Sequence, residues 1–104
     1  MDELHENEQQ LLPRITERQK ELLIEAEAVG GGIYRFRSDE RVYYMIRIGR
    51  KHFPVELNSD PYLFAVYNEE LNDLIEMKLL HDEGRDVIAL TAAGWRVARY
   101  FKNK

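Results

Sequence analysis

The chain has 104 residues, of which 44% are hydrophobic and 33% charged, a globular composition with room for one core. It lacks cysteine, which excludes disulfides, thiol catalysis and thiolate metal sites. Fifteen Lys and Arg against nineteen Asp and Glu leave a formal charge of −4, which excludes a surface that grips nucleic acid or anionic lipid all round.

The charge is blocked along the chain. Residues 1–29 hold eight acids and three bases, 30–53 two acids and six bases, 54–83 eight acids and one base, and 84–104 one acid and five bases. Two readings follow: faces that neutralise one another across the fold, or a polar surface that meets a charged partner.

Residues 1–13 read as an acidic arm or a short helix, with Asp2, Glu3, Glu6 and Glu8 ahead of a break at Pro13. This start lacks the cationic and apolar regions of a secretory signal, and no apolar run approaches the ~18–20 residues that span a bilayer. The sequence therefore predicts a cytoplasmic protein without a membrane contact. Residues 14–104 read as a single domain.

A first long helix is predicted over 16–29, where Thr16 and Gln19 have capping-box spacing and Ile15, Leu22, Leu23 and Ala26 recur at helical intervals. Gly30, Gly31 and Gly32 end it. A strand follows at 33–37, with Tyr34 and Phe36 on one face and Arg35 and Arg37 on the other. A second strand at 42–48 places Val42, Tyr44, Ile46 and Ile48 together, so that either Tyr43 or Tyr44 lies outside. Residues 38–41 make the hairpin loop, Gly49 and Arg50 a second turn, and 51–55 a short strand that Pro54 confines to an edge.

Asp60 as cap and Pro61 at the first helical position start a helix running to Leu79, with Phe64, Tyr67, Leu71, Leu74, Ile75 and Leu79 as its apolar stripe. Glu69, Glu70, Asp73 and Glu76 occupy much of the rest. A second hairpin is predicted with Asp82, Glu83, Gly84 and Arg85 as its turn and 87–90 as its returning strand. Thr91 caps a last helix, with Gly94, Val97, Ala98 and Phe101 inside and Arg96, Arg99, Lys102 and Lys104 outside or near its C-terminus.

The run Leu90-Thr91-Ala92-Ala93-Gly94, following a helix and a hairpin, resembles the end of a winged-helix domain. The triplet Gly30 to Gly32 and the run Gly49-Arg50-Lys51-His52-Phe53 extend the likeness to small winged-helix-like modules that accompany other bacterial domains. The resemblance implies an α+β fold: helix, small antiparallel meander, long helix, β-hairpin wing and C-terminal helix. One departure stands out. Residues 43–55 read as strand where a DNA-binding winged helix has the second helix of its helix-turn-helix.

The helix at the reading position presents four carboxylates and only Lys78, which repels phosphate. The sequence thus points to a non-catalytic module that docks a protein or a second copy of itself through Glu69, Glu70, Asp73 and Glu76. The alternative is nucleic-acid binding through a basic face of Arg35, Arg37, Arg41, Arg47, Arg50, Lys51 and Arg85. A third reading is an acidic inhibitor or DNA mimic. His5, His52 and His81 lack metal-ligand spacing, and Ser38 and Ser59 lack a nucleophile's context, so neither enzymatic activity nor a cofactor is expected.

Overall fold

A computed structural model describes residues 3–37, 43–54 and 61–104, apart from the side chains of Tyr43 and Tyr44. The predicted loop at 38–41, Val42, the cap Asp60 and the choice between Tyr43 and Tyr44 lie outside what it describes.

The capping box forms as its spacing requires. The Gln19 amide donates to Thr16 Oγ1 at 3.1 Å, the Thr16 amide donates to Gln19 Oε1 at 2.9 Å, and helix α2 (Glu17–Ala28) follows. Leu22, Leu23 and Ala26 are fully buried on its inner face. Gly30, at φ +94°, takes the left-handed position that closes the helix, and the Gly31 amide reaches back to the carbonyl of Ala26. Gly31 is also a close approach, because a Cβ there would meet Trp95 at 2.7 Å.

Strands β1 (Gly32–Arg37), β2 (Tyr43–Ile48), β3 (Lys51–Phe53), β4 (Leu80–Gly84) and β5 (Val87–Leu90) form one antiparallel sheet in the order β3-β2-β1-β5-β4. The predicted meander and hairpin are therefore not separate units. β1 pairs with β5, Ile33 opposite Ile88, and joins them. β3 lies at an edge, as Pro54 requires.

The second hairpin turns later than its sequence predicts. Strand β4 continues through Gly84, and the two-residue turn is Arg85-Asp86, both with positive φ (53° and 66°). That geometry suits the right-handed twist of the flanking strands but usually selects Asn or Gly, which is why the sequence conceals it.

Ile33, Ile46, Ile48, Phe53, Leu80, Ile88 and Leu90 make one sheet face apolar and buried. Against it pack α2, α3 (Pro61–Glu76) and α4 (Ala92–Lys102), through Leu71, Leu74, Val97 and Ala98 among others. Four α-helices and five strands thus make an α+β fold among the described residues, and no helix is long and apolar enough to cross a membrane.

The path from α3 into β4 is set by short backbone contacts. Lys78 adopts φ +63°, and the Leu79 amide returns to the carbonyl of Leu74. The Thr91 amide donates to the Leu79 carbonyl at 3.1 Å, its hydroxyl donates to the Lys78 carbonyl at 2.7 Å, and the Gly94 amide donates to that same hydroxyl at 3.0 Å. Gly94 has no room for a Cβ, which would run into the Leu79 carbonyl oxygen. Gly94→Ala is expected to lower the free energy of unfolding by about 2 kcal/mol, read from urea denaturation.

The N-terminal segment forms a short helix, α1 (Glu6–Leu11), followed by a 3₁₀ turn at Leu12–Arg14. Its Glu8 is only 1% exposed and accepts from Arg96 twice, at 2.9 Å from Nε and 2.5 Å from Nη2. Arg96, assigned by its sequence position to the solvent side of α4, is instead partly covered by α1. These two hydrogen bonds, helped by the His5 amide and opposed by burial, hold the Glu8 carboxyl at about 2 against an ordinary 4.5. A depressed carboxylate stabilises the fold above its unfolded pKa and loses that contribution as pH falls through the folded value. About 3 kcal/mol is therefore expected to vanish between pH 4.5 and 2. Glu8→Gln should flatten this part of the stability–pH curve, which denaturation at pH 6 and pH 3 measures.

Candidate functional site

The six described residues of the proposed basic set do not share one face. On β1 the alternation resolves with arginine inward and the aromatics outward. Arg35 is 4% exposed, and its Nη1 donates to Asn68 Oδ1 at 3.1 Å and Asn72 Oδ1 at 2.6 Å on α3. Its Nη2 stands 3.8 Å from Asp82 on β4. Arg35 is thus a buried tie between sheet and helix and has left the surface. Arg37 and Arg85 lie near it at the hairpin end, around a 20 Å³ crevice that Asp82 and Asp86 also line.

Lys51 is held at 2.7 Å by Glu25 of α2, and Arg50 is exposed in the preceding turn, at the far end of β2 from the bulge that separates Phe36 from Arg37. Arg47 lies on the opposite sheet face, facing Tyr34 across the strand pair. Arg41 lies outside the described residues.

The acidic group holds together better, with one exception. Glu69, Asp73 and Glu76 are exposed along α3 and, among the described residues, make no ion pair or side-chain hydrogen bond. Glu70 is different: its Oε2 accepts from Thr16 Oγ1 at 3.0 Å, and its backbone carbonyl accepts from buried Gln19 at 3.2 Å. The capping box of α2 is therefore also the joint between α2 and α3, and Glu70 belongs to that joint. The exposed stripe begins with Tyr62, 73% accessible, which sequence reading passed over. Its signal was present, since residue 62 lies off the stripe of Phe64, Leu71 and Leu74.

Most other acids are already engaged. Glu17 pairs with Lys20, Glu25 with Lys51, Glu8 with Arg96, and Glu27 with Lys102 at 3.0 Å and Arg99 at 4.0 Å. The cations of β3 and α4 thus pair with acids of α1 and α2, whereas Glu69, Asp73 and Glu76 on α3 are left without a cationic partner among the described residues.

An open groove of 890 Å³ lies between α2 and the C-terminal end of α4, floored by Leu12, Ile24, Tyr100 and Phe101. Lys20 and Lys104 lie over the Phe101 and Tyr100 rings at 5.1 and 4.6 Å. The three histidines stay apart: His5 caps α1, His52 is on β3, and His81 on β4 stands 3.5 Å from Glu83. No group of three His, Asp or Glu among the described residues is placed to hold a metal ion.

No protein-family model, curated protein or solved structure matches this chain. The site's chemistry therefore rests on its own geometry. A double-mutant cycle on Arg35→Met and Asn72→Ala is expected to give a coupling of about 1.5–3 kcal/mol in urea denaturation, since a charged donor lies at 2.6 Å from its acceptor.

Proposed function

We propose that this chain is a non-catalytic, winged-helix-like interaction module that docks a protein partner through the exposed acidic stripe of α3. The observation that carries this reading is the inequality of the carboxylates. Glu8, Glu17, Glu25 and Glu27 have cationic partners within the fold, whereas Glu69, Asp73 and Glu76 have none among the described residues. Unpaired charge of one sign along a rigid helix steers a complementary partner and sets its register. Tyr62 at the head of the stripe offers an aromatic anchor of the kind that dominates interface energetics.

The element order supports the winged-helix likeness: α3 leads into a tight hairpin, and a Thr-capped, Gly-containing helix closes the chain. The strands β2 and β3 occupy the stretch where a two-helix grip on duplex DNA has its second helix. With an acidic α3, that makes protein docking the better reading.

The test compares the immobilised wild-type chain with a Glu69→Lys, Asp73→Lys, Glu76→Lys variant for capture of a partner from native cell extract at low and high salt. The expected result is a salt-sensitive capture reduced at least about tenfold in the variant, with circular dichroism unchanged. Equal capture by both chains overturns the proposal. Sedimentation of each chain alone shows whether the partner is a second copy.

A further inference from the structure

The side of the sheet away from the helices is a second, chemically different surface. On it lie Tyr34 and Phe36 of β1, Met45 and Arg47 of β2, and Val87 of β5, brought together by the register Tyr34–Arg47, Phe36–Met45 and Tyr34–Val87. Tyr34 is 39% exposed, the others are partly exposed, and none of them belongs to the set packed on the core. The Tyr34 and Phe36 rings are nearly parallel, 9° between planes and 5.9 Å between centroids. The Arg47 guanidinium lies over both, 5.3 Å from one and 5.5 Å from the other. Its Nε is buried and is the one buried side-chain polar atom without a hydrogen-bond partner among the described residues.

We infer that this face binds single-stranded nucleic acid, with a base stacked on Tyr34 and Arg47 donating to its phosphate or base edge. Three features favour this occupant. Parallel stacked rings with a guanidinium over them form a short aromatic stack to which any base can add by its π-face, which is how sequence-tolerant strands are held. An Arg donor buried without an acceptor gains an acceptor when it turns to an anionic oxygen, so a phosphate offers what the free fold leaves unmade. The charge layout also permits it. The unpaired carboxylates of α3 belong to the helical layer, and Glu83, exposed at the β4 edge, sits beside His81.

Size argues against a second copy as the occupant. The patch spans three adjacent strands, about 10 Å across, whereas a stable dimer buries about 800 Å² on each partner. Duplex DNA is a poor fit as well, because its bases are already stacked and its outline is set by phosphates.

The experiment uses the full chain and a fluorescein-labelled oligodeoxythymidylate of about twelve residues, read by anisotropy at 50 and 300 mM salt. Saturable binding that weakens with salt is expected. Tyr34→Ala should weaken it at least about fivefold, and Arg47→Gln should reduce the salt slope by about 0.7. Tyr34→Trp should retain binding and show indole quenching on mixing, a signature of stacking that simple charge attraction does not give. Three results would overturn the inference. They are no anisotropy change at 50 mM salt with 100-fold protein excess, variants that bind as the wild type does, or a wild-type dimer that Tyr34→Ala converts to monomer. The α3 charge-reversal variant should still bind the oligonucleotide, so failure of the docking proposal and failure of this one remain distinguishable.

Discussion

The carbonyl end of α3 is where the rest of the fold is decided. The Leu79 carbonyl accepts from the Thr91 amide, the Lys78 carbonyl accepts from the Thr91 hydroxyl, and Gly94 packs against them with no side chain to intervene. One point thereby fixes where α3 stops, where the returning strand β5 ends and at what distance α4 begins. With α4 placed, Val97 and Ala98 close the core under α2, and Arg96 is left facing α1. A methyl group at position 94 would run into the Leu79 carbonyl and crowd Leu90, pushing α4 away from both.

The second governing constraint is that each charge must find its counter-charge or stay in water. The chain meets it by pairing across long sequence distances: Glu8 with Arg96, Glu25 with Lys51 and Glu27 with Lys102. The blocks visible along the sequence therefore do not survive as faces in space. The basic block at 30–53 is divided among a buried tie to α3, a partner for α2, a turn and the outer side of the sheet. What persists as a surface from the 54–83 block is Glu69, Asp73 and Glu76, which have no cationic partner among the described residues.

Local features were legible because their causes are local. Thr16 with Gln19, Gly30 after a helix and Thr91 with Gly94 each specify their geometry within a few residues, and they occur as read. The apolar stripe of α3 was equally plain, with Leu71 and Leu74 fully buried, although the helix stops at Glu76 and the positive φ of Lys78 leaves Leu79, also buried, beyond its end. Alternation on β1 was also legible, but alternation names two faces without saying which one is inside. An aromatic pair would ordinarily take the interior. Arginine takes it here because Asn68, Asn72 and Asp82, more than thirty residues away in sequence, supply acceptors to its guanidinium. Burial of Glu8 was concealed for the same reason, its partner lying at the other end of the chain. The Arg85-Asp86 turn was hidden differently, by residues that seldom adopt the conformation they hold.

The Glu8–Arg96 contact also bears on the order in which the molecule assembles. The two residues are 88 positions apart. Closing a loop of that length in an open chain costs about 4 kcal/mol of entropy, more than the ion pair returns. Once the sheet and α4 are in place, α1 has only the few residues back to Ile15 left to order, and the same contact becomes favourable. Helix α1 is therefore the last part to dock and the first to leave, a latch on a core that is already formed.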